Sequence, residues 1–356
     1  MASSDPIKPI VRAQPAYTLA ALETKIKLNQ NENPYEIPDD LKDEVLRLAR
    51  ERPWGRYPDF VPDEFLSLLA GHVGWVREGM LAGNGSNELI QAILAVTCAP
   101  GRKLLIVQPT FTLYKLLGGI NGAEVVETFL RREDMAYDVP ALLRVMDGCQ
   151  PSVVVLCSPN NPTGSGLSFE DWRRICECAP GLVVADQAYV EFGGASAIPL
   201  LREFPRLVVL RTFSKAGTLA GLRVGYVACS PEIAEQVVKA KLPYNLNFFS
   251  MAAASVVVRN WKRLAPVMET IRRDRERLYG ELRTIPGITA YPSSANFLLF
   301  ETTKPPHDVF RRVYERGVLI RDVSGYPLLE RALRVSVGTP DENAQFLVAL
   351  RHALEG

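Results

Sequence analysis

The sequence predicts an α/β protein, with a large domain on a mainly parallel central sheet and a smaller α+β domain. Two observations carry this expectation. Five short runs, residues 104–107, 153–157, 182–185, 207–210 and 224–228, are rich in Val and Leu and lack polar alternation. Strands covered by helices on both faces of a mainly parallel sheet have that texture. Amphipathic stretches lie before, between and after the runs, which is the order of a layered α/β domain.

Taken in order, residues 1–40 are rich in Pro and Asn and show no sustained periodicity, so they read as an extended arm. Helical periodicity appears at 40–50, 63–72, 87–97, 168–178 and 231–240. After about Ser250 the texture changes. A long charged helix is expected at 264–283, a strand at 296–300, a helix at 307–316, a strand at 333–337 and a last helix from Asp341. The expected division is an arm over 1–40 that contributes to the small domain, a large domain over 41–250 and a small domain over 251–356.

Composition excludes several classes. A formal charge of +1 offers no field for nucleic acid or an anionic membrane. No apolar run approaches the ~18 residues of a membrane span, and residues 1–17 lack a signal-peptide core. Six cysteines with no CxxC pair, several inside apolar runs, read as reduced thiols of a cytoplasmic protein. Three histidines leave little material for a zinc cluster or a histidine-based triad, so no metal site is expected.

Four segments fall at the carboxyl ends of the buried runs or before a helix, where open α/β sheets bind ligands. Gly83-Asn84-Gly85-Ser86-Asn87-Glu88 precedes a helix and suits a phosphate, or is a turn with Ser86 as N-cap. Ser158 to Gly164 (SPNNPTG) can present the Asn161 amide to a ligand, or is a proline-rich turn. Asp186-Gln187-Ala188-Tyr189 puts a carboxylate where burial is costly without a cation, or supplies a capping Asp. Arg211-Thr212-Phe213-Ser214-Lys215, with Leu219 to Arg223 behind it, offers an imine-forming lysine beside an anion site, or a lysine that snorkels to solvent. Jointly they fit pyridoxal phosphate. That cofactor needs a lysine, a carboxylate for its ring nitrogen, donors for its ring oxygen and a cup for its phosphate.

With these motifs, and with Leu28 to Pro34 (LNQNENP), Arg56-Tyr57-Pro58-Asp59, Pro109-Thr110-Phe111, Lys241 to Asn245 and Leu333 to Thr339, the chain resembles fold-type I pyridoxal-phosphate aminotransferases. Within them it is most similar to histidinol-phosphate aminotransferases. The resemblance runs from about Leu28 to Leu354. It implies that Lys215 holds the cofactor and shuttles the proton, and that Asp186 pairs with the ring nitrogen. It gives Asn161 and Tyr189 the ring oxygen, and Ser86, Asn87, Thr212, Ser214 and Arg223 the phosphate. Phe111 would stack on the ring, and Tyr57 would reach the cofactor phosphate of a partner subunit in a homodimer with shared active sites. Arg334 and Arg321 would bind substrate anions, and Tyr17 would come from the arm. The implied reaction converts histidinol phosphate and 2-oxoglutarate to imidazole acetol phosphate and glutamate, in histidine biosynthesis. The alternatives are an aromatic amino-acid aminotransferase and a decarboxylase of a phosphorylated amino acid. The chain departs from the pattern at Gln187, where Glu is frequent, at Phe111, where Tyr is frequent, and at Ala216-Gly217, where an aromatic residue often follows the alanine.

Overall fold

The computed structural model describes residues 6–14 and 22–355. Its strands are β1 (Ile26–Lys27), β2 (Met80–Asn84), β3 (Lys103–Gln108), β4 (Glu124–Phe129), β5 (Val153–Cys157), β6 (Leu182–Asp186), β7 (Leu207–Thr212), β8 (Val224–Cys229), β9 (Ile288–Ala290), β10 (Phe297–Thr302), β11 (Val318–Leu319), β12 (Arg321–Asp322) and β13 (Ala332–Ser336).

Seven of them form one sheet in the order β2-β8-β7-β6-β5-β3-β4. All the pairings from β7 to β4 are parallel, and β8 runs antiparallel to both its neighbours. The five apolar runs are β3, β5, β6, β7 and β8. Their lack of polar alternation has a direct cause in β5. Val154 and Leu156 pack into one core with Trp172 and Ile175, whereas Val153, Val155 and Cys157 pack into another with Leu89 and Ile93. Both faces are covered, so both carry apolar side chains. Such a run reports burial but not direction, which is why the reversal of β8 was not legible. The edge strands β2 and β4 were not expected. β2 ends in Gly83 and Asn84, and β4 carries exposed Glu124 and Phe129.

Chain order turns back between β3 and β5, since β4 lies on one side of β3 while β5, β6 and β7 proceed on the other. That reversal opens a crevice at the carboxyl ends of the strands.

A second, four-stranded sheet has the order β12-β13-β10-β9 and is antiparallel throughout. The helices Trp261–Arg283, Pro306–Glu315 and Pro340–Glu355 contribute to its core. The arm is tied to this unit, because β1 pairs in parallel with β11 and Ile26 and Leu28 enter the same core. The arm also holds a short helix, Pro9–Arg12. The expected division near residue 250 falls inside the helix Phe248–Arg259, whose Ala253, Ala254 and Val257 pack in the core of the large sheet. Along Trp261–Arg283, Leu264, Met268 and Ile271 still belong to that core, and Leu278 and Leu282 belong to the small one. We propose that the two domains divide between Ile271 and Leu278, within that helix.

Candidate active site

One cavity of about 390 Å³ opens at the carboxyl ends of β5, β6 and β7 and is walled on its far side by β12 and β13. Its lining includes Ser86, Asn87, Phe111, Asn161, Asp186, Tyr189, Thr212, Ser214, Lys215, Arg223, Arg321 and Arg334. Residues spread over the whole chain thus meet in one place.

The phosphate-type end is built on close backbone approach. Ser86 is the first residue of the helix Ser86–Thr97, and Gly85, not Ser86, is its N-cap. Gly85 has φ +77°, and a Cβ there would lie 2.5 Å from Nη2 of Arg223. A Cβ on Gly225 would lie 2.5 Å from the Ser86 amide nitrogen. The two glycines therefore let β8 and the Arg223 guanidinium lie against the helix start. Nη1 of Arg223 donates to Ser214 Oγ at 3.1 Å, and the Ser214 amide donates to Thr212 Oγ1 at 3.1 Å. Free helix amides, two hydroxyls and a guanidinium converge there, which is a set of anion donors.

Asp186 ends β6 and is 3% exposed. Its Oδ2 accepts from the Tyr114 hydroxyl at 2.5 Å, and its Oδ1 accepts from the Ala188 amide at 3.1 Å. Among the described residues no cation pairs with it. Burial pushes its carboxyl up to about 6, against the opposing pull of the Tyr114 and Ala188 donors.

Lys215 is half-buried, and its Nζ donates to the Gln30 carbonyl at 2.7 Å. Burial first, and the Arg334 charge second, bring its amine down to about 7. The Tyr189 hydroxyl accepts from Asn31 Nδ2 at 3.1 Å, and burial holds its proton well above the ordinary range. Phe111 meets Tyr114 edge to face at 5.6 Å.

Arg334 is 7% exposed. Its Nη2 donates to the Asn29 carbonyl at 2.6 Å, its Nη1 donates to Asn161 Oδ1, and its guanidinium lies 5.2 Å from the Phe297 ring centre. Arg321 is its cross-strand partner between β12 and β13. Among the described residues nothing pairs with the half-buried Arg321 guanidinium.

One expected residue, Tyr57, does not line the cavity. Tyr57 is 78% exposed and stacks on Tyr244 at 4.6 Å. Tyr17 lies outside the described residues. Sequence reasoning gave no role to Tyr114, nor to Asn29, Gln30 and Asn31, which line the cavity and hold Arg334, Lys215 and Tyr189. The polar run at 29–33 within the arm was the available signal for the latter three.

Residues 23–350 match the family model "Aminotransferase class I and II". The chain is 40% identical over 347 residues to the histidinol-phosphate aminotransferase of Chlorobium phaeovibrioides, covering 97% of this chain and 96% of that one. It is 39% identical over 330 residues to the enzyme of the same name from Chlorobaculum tepidum, covering 92% and 94%. Among solved structures it is similar to histidinol-phosphate aminotransferase from Sinorhizobium meliloti in complex with pyridoxal-5'-phosphate, with a TM-score of 0.88, 23% identity and 99% of both chains covered.

Proposed function

We propose that this chain, which belongs to the aminotransferase class I and II family, transfers the amino group of histidinol phosphate to 2-oxoglutarate with pyridoxal phosphate as cofactor, giving imidazole acetol phosphate and glutamate. The observation that carries the substrate choice is the facing pair Arg321 and Arg334, on adjacent strands, lining the cavity that holds Lys215 and Asp186. A phosphate-bearing donor and a dicarboxylate acceptor must share one pocket, and guanidinium forks grip either anion.

The residues present fit the cofactor. Asp186 is a buried carboxylate that pairs with no cation among the described residues, and a protonated ring nitrogen would supply one. Ser86, Asn87, Thr212, Ser214 and Arg223 would hold the phosphate, Asn161 and Tyr189 the ring oxygen, and Phe111 one ring face. When bound, pyridoxal phosphate serves as amino-group carrier and electron sink.

The chain's own groups do the rest. Burial brings the Lys215 amine down to about 7, so once Gln30 releases it the amine gives up its proton far more readily than an ordinary lysine and can take the α-proton of the donor and return it as an acid. Asp186 would pair with the ring nitrogen and favour its protonated form. Arg334, fixed by Asn29 and Asn161, orients the substrate anion, and Arg321 adds a second contact for a phosphate.

The protein acts as a homodimer in the cytoplasm. Trp54, Tyr57, Phe60 and Leu242 are large apolar side chains more than 60% exposed, a surface suited to a second copy that would bring Tyr57 to the partner's site. Cysteines 98, 149, 157, 176, 178 and 229 are all free thiols, in keeping with a reducing compartment. Among the described residues no helix is long and apolar enough to cross a membrane.

The test is the half-reaction. Histidinol phosphate should bleach the visible absorbance of the cofactor-loaded protein far faster than phenylalanine does. A preference for phenylalanine would overturn the substrate, and carbon dioxide released from phosphothreonine would overturn the reaction class. Sedimentation of a fully active monomer would overturn the shared site.

A further inference from the structure

Tyr114 stands on the helix Leu113–Ile120, three residues after the ring-facing Phe111, and is fully buried. Its hydroxyl reaches Asp186 from the large-sheet core, at the floor of the cavity that Tyr114 helps to line. The other titratable groups facing this carboxylate are Cys157 at the end of β5, Tyr137, whose hydroxyl donates to the Cys157 carbonyl at 2.5 Å, and Tyr189. Burial keeps all three in their neutral forms, so none supplies a charge. Tyr114 and the Ala188 amide are therefore the donors that favour an ionised Asp186.

That matters for a shared proton. Between a buried carboxylate and a ring nitrogen, a proton sits on either partner. A dry environment favours the neutral arrangement, acid beside unprotonated ring, because it avoids two buried charges. Donors on the carboxylate tip the balance the other way. Only a protonated ring nitrogen makes the ring a strong electron sink.

We propose that Tyr114 is a positioning residue whose hydroxyl bond to Asp186 keeps the shared proton on the ring nitrogen of the bound cofactor rather than on the carboxylate. This rests on the reading of Asp186 given above. Phe111 and Tyr114 then form one unit: a single short segment sets both the ring face and the ring nitrogen's partner.

The test uses holoenzyme loaded with cofactor carrying ¹⁵N at the ring position. In Tyr114→Phe the ring-nitrogen resonance should move toward that of an unprotonated pyridine. The kcat of the donor half-reaction should fall about 10-fold with KM changed less than about twofold, the pattern of a lost charge-assisted bond felt in the transition state. A folded variant whose resonance stays at the protonated value overturns the proposal, even if activity falls, because packing alone would then explain the loss. Should Tyr114→Phe fail to fold, 4-aminophenylalanine at position 114 keeps the shape and offers a weaker donor. It must move the resonance in the same direction by less, and no movement overturns the proposal. Wild-type protein that takes up no cofactor, or does not react with a donor, would instead sink the reading of the site itself.

Discussion

Removing the Arg321 guanidinium should separate phosphate-bearing donors from uncharged aromatic ones. Arg334 is almost wholly buried and already committed to Asn29 and Asn161, so it serves as a fixed anchor. Arg321 lies directly opposite it, half-buried and, among the described residues, unpaired. Truncating one partner of a buried charge pair costs ~2–5 kcal/mol. Solvent screening at a half-buried position places Arg321 at the lower end, about 2–3 kcal/mol. That corresponds to ~30- to ~150-fold in kcat/KM for histidinol phosphate. Phenylalanine has no phosphate for Arg321, so its kcat/KM should change less than about threefold, as for a substitution away from contacts. Arg334→Ala should harm both donors and the 2-oxoglutarate half-reaction, since each substrate presents an anion there. Single-turnover rates for both donors in both variants decide the matter. Equal losses for the two donors in Arg321→Ala would refute the phosphate argument and favour an aromatic amino donor.

Three further outcomes are expected. Lys215 is brought down to about 7 from 10.5, so the folded chain binds fewer protons than the unfolded one between those values. The cofactor-free protein should gain stability from this group as pH rises across that window, and Lys215→Met should lack the gain. Denaturant melts in which the wild-type-minus-variant difference stays flat from about pH 6 to about pH 10 would contradict this; borohydride fixing cofactor to the variant would instead remove Lys215 as the imine lysine. Asp186→Asn should fold, since it removes a carboxylate that burial already disfavours, yet lose about 100-fold or more in turnover; full turnover at saturating cofactor would remove Asp186 from the mechanism. Gly85→Ala places a Cβ 2.5 Å from Arg223 at φ +77° and ψ 164°, a region that only glycine adopts freely, so it should lower stability by about 1–3 kcal/mol. It should also weaken cofactor binding by displacing Arg223, and an unchanged dissociation constant would show that Arg223 is not held by this contact.

Much of the fold could be read from the sequence because burial leaves a local mark. Val153–Cys157 is apolar at every position since both faces are covered, and its strand bounds match the expectation. The helix Asp39–Glu51 shows its buried face as Leu41, Val45 and Ala49, a spacing of four. Where one face meets solvent or a glycine interrupts the run, the mark fades. β4 begins with Glu124 and β2 ends with Gly83-Asn84, and neither was expected. The domain boundary leaves no local mark in the sequence for a related reason. Phe248–Arg259 and the first half of Trp261–Arg283 carry core residues of the large sheet, and amphipathicity says that a helix is buried without saying against what.

The site divides along the same line, between residues that are unusual where they stand and residues that are ordinary. Asp186 and Lys215 drew attention because a carboxylate and an amine at the ends of apolar strands are costly without a purpose. Tyr114 drew none. It sits on a short apolar helix among Leu113, Leu116 and Leu117, where a tyrosine passes for a core side chain. Its value comes from a partner 72 residues away, and no local pattern encodes that distance. Arg321 and Arg334 occupy the middle ground. Each was noticed, but a separation of 13 positions does not say that they face one another; the antiparallel register of β12 on β13 does. Sequence thus exposes the groups that would be penalised without partners, and topology supplies the partners. The residues most in need of mutation are therefore those, like Tyr114, whose chemistry exists only in the pairing.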